Sequence, residues 1–333
     1  MRMRTLTAAA LLAMSPYISS SETLFGVAFE KEQFWLVRFD SESLGTIDYQ
    51  VSLPGPEEPY ALDSRPATGE LYAIQIIEPF GGNLWTGFLY RLDPTTGQAT
   101  QVGSAFVLPE TGGLDVGLDV GVDFDPVLDE LRLVDHGGGN YRLDPLTAEL
   151  TPLTPLNPTA AVAGLAVEGA SGGLTPTTYA VDLTTENLIQ IGGQHGLPPA
   201  DSGLVTVIGP LGLSLASFVS FDISASGIAY AAAVPSQSSD ARGPLSSHLY
   251  RVDLATGAAK DLGIIGPEPG LAMFALAAAR EPTGVSPVVV PALGRSGIVV
   301  SVLALASISL LLLRRRALEA QTQGLRSKGR LVS

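Results

Sequence analysis

A fifteen-residue unit is written twice in this chain: Leu89 to Gly103 reads LYRLDPTTGQATQVG and Leu249 to Gly263 reads LYRVDLATGAAKDLG. In the first copy, Leu89-Tyr90-Arg91-Leu92 alternates as a strand does, and Gln98 to Val102 starts a second strand. Between them lies turn chemistry, Asp93-Pro94-Thr95-Thr96-Gly97. The Asp carboxylate accepts a nearby N–H, Pro presets φ, and Gly takes the positive φ of the return. The unit is therefore read as a β-hairpin. Weaker copies are YRLDPLTAEL (141–150) and YAVDLTTENLIQIG (179–192).

A second unit precedes each of these. YALDSRPATGELYAI (60–74), VGVDFDPVLDELRLV (120–134) and FVSFDISASGIAYAA (218–232) share an apolar strand, an Asp, a turn and another strand, and 162–181 is a looser version. Joined, the two units predict four-stranded modules near residues 59–104, 118–154, 161–209 and 217–264. A period of about 40–55 residues with four strands per repeat points to propeller blades. One apolar strand remains after the fourth module, in Leu271 to Ala279, and about three precede the first (TLFGVAF, FWLVRF, GTIDYQVSL). One plus three completes a further blade from both chain ends, which hides edge strands that would template aggregation. The expectation is an all-β, five-bladed β-propeller of four-stranded blades, with six blades as the alternative. The 37 Gly and 24 Pro of the 333 residues agree with so many turns.

The two ends read as addresses. Residues 1–21 carry basic residues, a short apolar run from Leu6 to Met14 and then small residues, the pattern of a secretory signal peptide. Residues 22–284 form the expected propeller ectodomain and 285–295 a linker containing Pro and Gly. Ser296 to Leu313 are 18 residues without a charge, roughly 27 Å as a helix and enough to cross a bilayer. Arg314, Arg315 and Arg316 follow, and 314–333 read as a basic cytoplasmic tail, which places the ectodomain outside the cytoplasm. The protein is thus expected to be exported, and either anchored in the inner membrane or sorted to the cell surface.

Charge narrows the partners. Of 33 acidic and 19 basic residues, 32 and 10 fall within 22–294, a net of −22 for the body of the chain. Such a body repels phosphate backbones, which excludes nucleic acid. With no Cys there are no disulfides and no thiolate metal sites.

Few residues carry candidate chemistry. His136, His195 and His248 have no second ligand at a metal-binding spacing, although Asp135 beside His136 offers an acid–base pair in a hairpin loop. No nucleophile elbow, P-loop or Rossmann fingerprint stands in its required context. Trp85, in a Gly-rich loop, suits either stacking on a ligand ring or packing across the blade. The main signal is positional: Asp63, Asp123 and Asp222 occupy equivalent places on the first strands of three modules, with Ala166 and Ala277 in the other two. Pointing inward, three carboxylates converge on the channel, where Ca²⁺ prefers oxygen ligands. Asp119 and Asp125 share strand parity with Asp123 and would add to that face. Structurally, an Asp ahead of a turn bonds local backbone and does nothing more. No other cofactor is expected.

The ordered set GVDFDPVLDELRLV, NYRLDPLTAEL, VIGPLG, FDIS…AYAA and LYRVDLATGAAKDLGIIG, across about residues 34–265, resembles bacterial domain-of-unknown-function family 4394. The family segment DTGQN stands here as HGGGN, His136 to Asn140. The resemblance implies an exported repeat domain and brings no activity or site residues with it. VPALGRSG (290–297) and the segment after it resemble a surface-sorting tail of the Ile-Pro-Thr-Leu type, with Ala292 in place of the Thr. The functional expectation is a non-catalytic binding module for a protein or glycan at the cell surface, in contact with the membrane through its C-terminal helix. The alternatives are a calcium-dependent, lactonase-like hydrolase and a purely structural envelope protein.

Overall fold

The computed structural model describes residues 21–53, 59–77, 85–108, 120–169, 175–236 and 246–280. Their strands form five four-stranded antiparallel sheets arranged as a propeller. Blade 1 comprises β1 (Thr23–Glu30), β2 (Gln33–Asp40) and β3 (Ile47–Ser52). Blade 2 is β4 (Pro59–Ser64), β5 (Leu71–Ile77), β6 (Trp85–Leu92) and β7 (Ala99–Leu108). Blade 3 is β8 (Val120–Asp125), β9 (Glu130–Asp135), β10 (Asn140–Leu143) and β11 (Leu150–Pro152). Blade 4 is β12 (Val162–Val167), β13 (Thr178–Asp182), β14 (Asn187–Ile191) and β15 (Val205–Pro210). Blade 5 is β16 (Leu215–Ile223), β17 (Ala229–Pro235), β18 (His248–Val252) and β19 (Ala259–Ile264).

The last strand, β20 (Ala272–Ala278), pairs with β1 and so supplies the inner strand of blade 1 from the other end of the chain. The expected closure by both ends is thus present, and the count is five blades rather than six. Around the axis run β4, β8, β12, β16 and β20, each beside the next. The expected signal peptide (1–21, of which only Ser21 is described), the membrane span over 296–313 and the sorting tail lie outside the described residues. Among the described residues, no helix is long and apolar enough to cross a membrane.

A radial array of sheets has no single centre, so its core lies in the seams between blades. The buried apolar residues of the described segments fall into five clusters, one for each seam. In the seam between blades 2 and 3, Tyr72 meets Phe124 edge-on, with ring centroids 5.3 Å apart. Burying side chains of this size contributes about 1.5–3 kcal/mol each. Because both faces of a blade are covered, β8 and β12 are buried at every position; β12 reads as a continuous apolar run, whereas β8 carries Asp123 and Asp125 among its apolar residues.

The seams also explain the repeated hairpin. In blade 3, Asp144 Oδ1 accepts the N–H groups of Leu146 and Thr147 at 2.7 and 2.9 Å, fixing the turn between β10 and β11. That turn presses the Thr147 carbonyl onto β7 of the preceding blade, where a Cβ on Gly103 would stand 1.8 Å from it. Blade 5 repeats the arrangement: Asp253 caps its turn through Ala255 N–H at 2.8 Å, and the Thr256 carbonyl abuts Gly209 of β15. In blade 2 the Tyr49 hydroxyl of β3 donates to the Thr95 carbonyl of the corresponding turn. In blades 2, 3 and 5 the unit recurs as a wedge shaped to fit the blade before it.

Blade 4 departs from the expected register. Its copy at 179–192 forms β13 and β14, the second and third strands, whereas the other copies form the third and fourth. The connection from β14 to β15 is a longer segment with two short 3₁₀ turns, Gln194–Gly196 and Ala200–Ser202. It reaches the seam with blade 3 by other means. Asp201 takes Arg132 at 2.8 Å and also pairs with Arg142, while Asn140 Nδ2 donates to the Ala200 carbonyl at 2.9 Å.

Gly209→Ala places a methyl 2.3 Å from a backbone oxygen, and Gly103→Ala adds a strained φ of +61° to its closer clash. Each should destabilise the fold by about 2–4 kcal/mol. Gly45→Ala, with nothing within 4 Å, should change it by less than about 0.5 kcal/mol. Denaturant unfolding of the three variants checks this, and equal midpoints would refute the wedge account.

Candidate functional site

Asp63, Asp123 and Asp222 sit near the ends of β4, β8 and β16 and are 1–3 % exposed. Each presents a carboxylate oxygen to the axis, and the three lie within 4.8 Å of one another. The structure therefore brings the three aligned aspartates together. It also gives each a partner on a neighbouring inner strand. Asp63 Oδ2 accepts the Phe124 N–H at 2.7 Å, Asp123 Oδ2 the Val167 N–H at 2.6 Å, and Asp222 Oδ2 the Ala278 N–H at 2.5 Å. These N–H groups belong to the residues directly after Asp123, Ala166 and Ala277. The five positions matched in sequence are therefore one ring in space, and each carboxylate staples its strand to the next.

Where the preceding blade supplies Ala instead of Asp, no staple arrives. Ser64, downstream of Ala277, donates its N–H to Asp63 Oδ1 at 2.6 Å. Ile223, downstream of Ala166, turns its N–H onto Asp222. Arg280, two residues beyond β20, completes the group. Its side chain is 6 % exposed, with Nη2 2.6 Å from the Ile223 carbonyl and 3.7 Å from Asp222 Oδ1. Sequence alignment of the aspartates missed this arginine. The available signal was a lone basic residue directly after the closing inner strand, in a body with few cations.

Burial dominates the electrostatics. It lifts Asp63 above the usual carboxylate range, against the hydrogen bond from Asp123. Asp123 is raised well above that range by burial and then by the charges of Asp63 and Asp222. Asp222 is pushed up to about 7, again by burial first and the Asp63 charge second, with Arg280 opposing. Buried like charges resolve their repulsion by holding protons.

The other sequence candidates are not drawn together. His136, His195 and His248 lie on blades 3, 4 and 5. Asp135 beside His136 accepts the Gly139 N–H at 2.7 Å and the Tyr141 hydroxyl at 3.1 Å, which ties its own loop. His195 occupies a positive φ of 56° in a 3₁₀ turn, and His248 Nδ1 lies 2.9 Å from Asp261 on the neighbouring strand. Asp125 does not add to the axial charge: its Oδ1 caps the turn through Val127 and Leu128, and Asp119 lies outside the described residues. Trp85 is half-buried against the seam between blades 2 and 3, so it packs across the blade.

With this geometry in view, the likenesses to known proteins are limited to architecture. A sucrose-6-phosphate hydrolase from Lactobacillus gasseri superposes with a TM-score of 0.47 at 11 % identity, over 73 % of this chain and 58 % of that one. The GH74 xyloglucanase from Xanthomonas campestris gives 0.38 at 16 % identity, over 72 % and 38 %. A luciferin-regenerating enzyme gives 0.39 at 13 % identity, over 78 % and 81 %. The chain spans less than two thirds of the first two, and likenesses this distant say nothing about chemistry. No curated protein matches it. A family model described as "Domain of unknown function (DUF4394)" matches residues 35–277.

The raised carboxyls set the sign of a pH effect. Asp222 binds a proton in the folded state up to about pH 7 that the unfolded chain releases near 3.8. Its contribution is fully present below 3.8 and is lost as pH rises through about 7, with Asp123 extending the loss higher. In chelator, Asp222→Asn, which copies the neutral acid, should gain on wild type across that window by up to about 4 kcal/mol. Denaturant unfolding at several pH values measures the difference, and a gap independent of pH would rule the proton out.

Proposed function

The chain belongs to the DUF4394 family, whose model covers most of its propeller, and on that premise we propose that it is an exported, non-catalytic binding module. The observation that carries this reading is the state of the channel. The only convergent acidic group among the described residues is sealed at 1–3 % exposure and occupied in stapling inner strands and facing Arg280. A hydrolase needs its carboxylates open to substrate. Here they are inside the wall.

The rim where the inner strands begin offers a surface instead. Phe29, Phe34 and Phe274 cluster there with centroids 4.8–6.1 Å apart, and Phe29 is 39 % exposed. Aromatic faces of this kind stack on sugar rings or peptide side chains at modest entropic cost. The leader and the C-terminal apolar segment of the sequence support a propeller outside the cytoplasm, anchored in the inner membrane or sorted to the surface, and the exposed aromatic supports a protein or glycan as its partner.

The ectodomain, residues 22–284, should bind a defined class on a panel of cell-envelope glycans and surface peptides. Phe29→Ser should weaken that binding about three- to tenfold, as loss of one stacking contact does. Turnover of a lactone panel by wild type that Asp123→Asn abolishes would replace this reading with the hydrolase. Retention of the unanchored chain in the cytoplasmic fraction would remove the export part.

A further inference from the structure

Ionised together, Asp63, Asp123 and Asp222 would set three negative charges against the single positive charge of Arg280, so the buried cluster needs two further positive charges, as protons or as a cation. The backbone N–H groups that staple the carboxylates are dipoles and do not cancel that deficit. A second observation, made atom by atom, points the same way. Asp123 Oδ1 and Asp222 Oδ1 are buried and find no hydrogen-bond partner outside the group of carboxylates itself; for Asp222 the nearest cation, Arg280 Nη2, is 3.7 Å away. Buried polar atoms without partners are rare and mark a missing water, ion or proton.

We propose that the propeller axis is a cation site in which Asp63, Asp123 and Asp222 hold one divalent ion of calcium size. The geometry fits. Two oxygens on one Ca²⁺ can stand no farther apart than twice the metal–oxygen distance of about 2.3–2.6 Å, that is about 4.6–5.2 Å, and the three aspartate oxygens fall within 4.8 Å of one another. The remaining two places in the ring are Ala166 and Ala277, which bring no side-chain oxygen, so the rest of the six to eight oxygens that such an ion takes would have to be backbone carbonyls or water. Asp63 comes from blade 2, Asp123 from blade 3 and Asp222 from blade 5. The ion therefore joins strands far apart in sequence and stabilises the ring, not a reaction. It is independent of the binding role proposed above.

The test uses the full-length chain purified in detergent at pH 8, treated with EDTA and then returned to calcium chloride. Elemental analysis should find about one calcium per chain, and the melting temperature should rise by about 5–10 °C over the EDTA sample. Asp123→Asn and Asp222→Asn, each checked for β-rich circular dichroism, should lose both effects. Asp93→Asn, on an exposed turn, should keep them. Wild type that carries no stoichiometric calcium and melts alike in calcium and EDTA would overturn the proposal, leaving protons as the counter-charge. So would a calcium shift that survives in the folded Asp123 variant.

Discussion

The hydrogen bond from the Val167 N–H to Asp123 Oδ2, 2.6 Å long and out of contact with water, shows what a ring of sheets must solve. Within a blade, backbone pairing is satisfied by the ladder. Between blades the inner strands share no ladder, and backbone bonds such as Gly266 N–H to the Leu44 carbonyl and Thr154 N–H to the Asp201 carbonyl join connecting segments. Apolar packing fills each seam but does not fix how far one blade slides against the next. A carboxylate bonded to a single N–H on the neighbouring strand does fix it, and the low dielectric that makes its burial costly also makes the bond strong. Three such bonds, together with the Arg280 contact, set the axial register of the inner ring.

Farther from the axis the same register is enforced by other chemistry. The Arg65 guanidinium meets Asp129 of the next blade in a buried two-pronged pair, and the Asp-capped turns wedge against Gly103 and Gly209. Seams therefore differ in detail while serving one end. Between blades 3 and 4 the wedge is replaced by the segment around Asp201, which gathers Arg132 and Arg142. Identity of the repeat is needed only where a turn has to fit a neighbour. Blade 4, whose copy of the unit sits elsewhere in the sheet, shows that another segment can do the work.

Much of this was legible in the sequence because a propeller writes its blades one after another. The Asp, Pro, Thr and Gly of each turn are local signals, and the surplus strands at the two ends implied closure by β1 and β20. Aligning Asp63, Asp123 and Asp222 also worked, since repeat-equivalent positions become equivalent places around an axis. Three things were not legible. The role of 179–192 depended on which strands it joins, and both assignments satisfy the same alternation of faces. Asp125 was grouped with Asp123 by parity, but a carboxylate at a strand end bonds the turn that follows before it reaches the axis. Arg280 entered only in three dimensions, because its partners on β16 lie more than fifty residues earlier.

The closing blade has a mechanical side. The Thr23 carbonyl accepts the Ala279 N–H at 2.9 Å, so the start of β1 and the end of β20 lie side by side. A chain held by its C-terminal tail would transmit tension straight into β20, an inner strand flanked by β4 and β16 and paired along its length with β1. No outer hairpin can peel first under such a load. The strand that carries the force is the one whose withdrawal opens the whole ring.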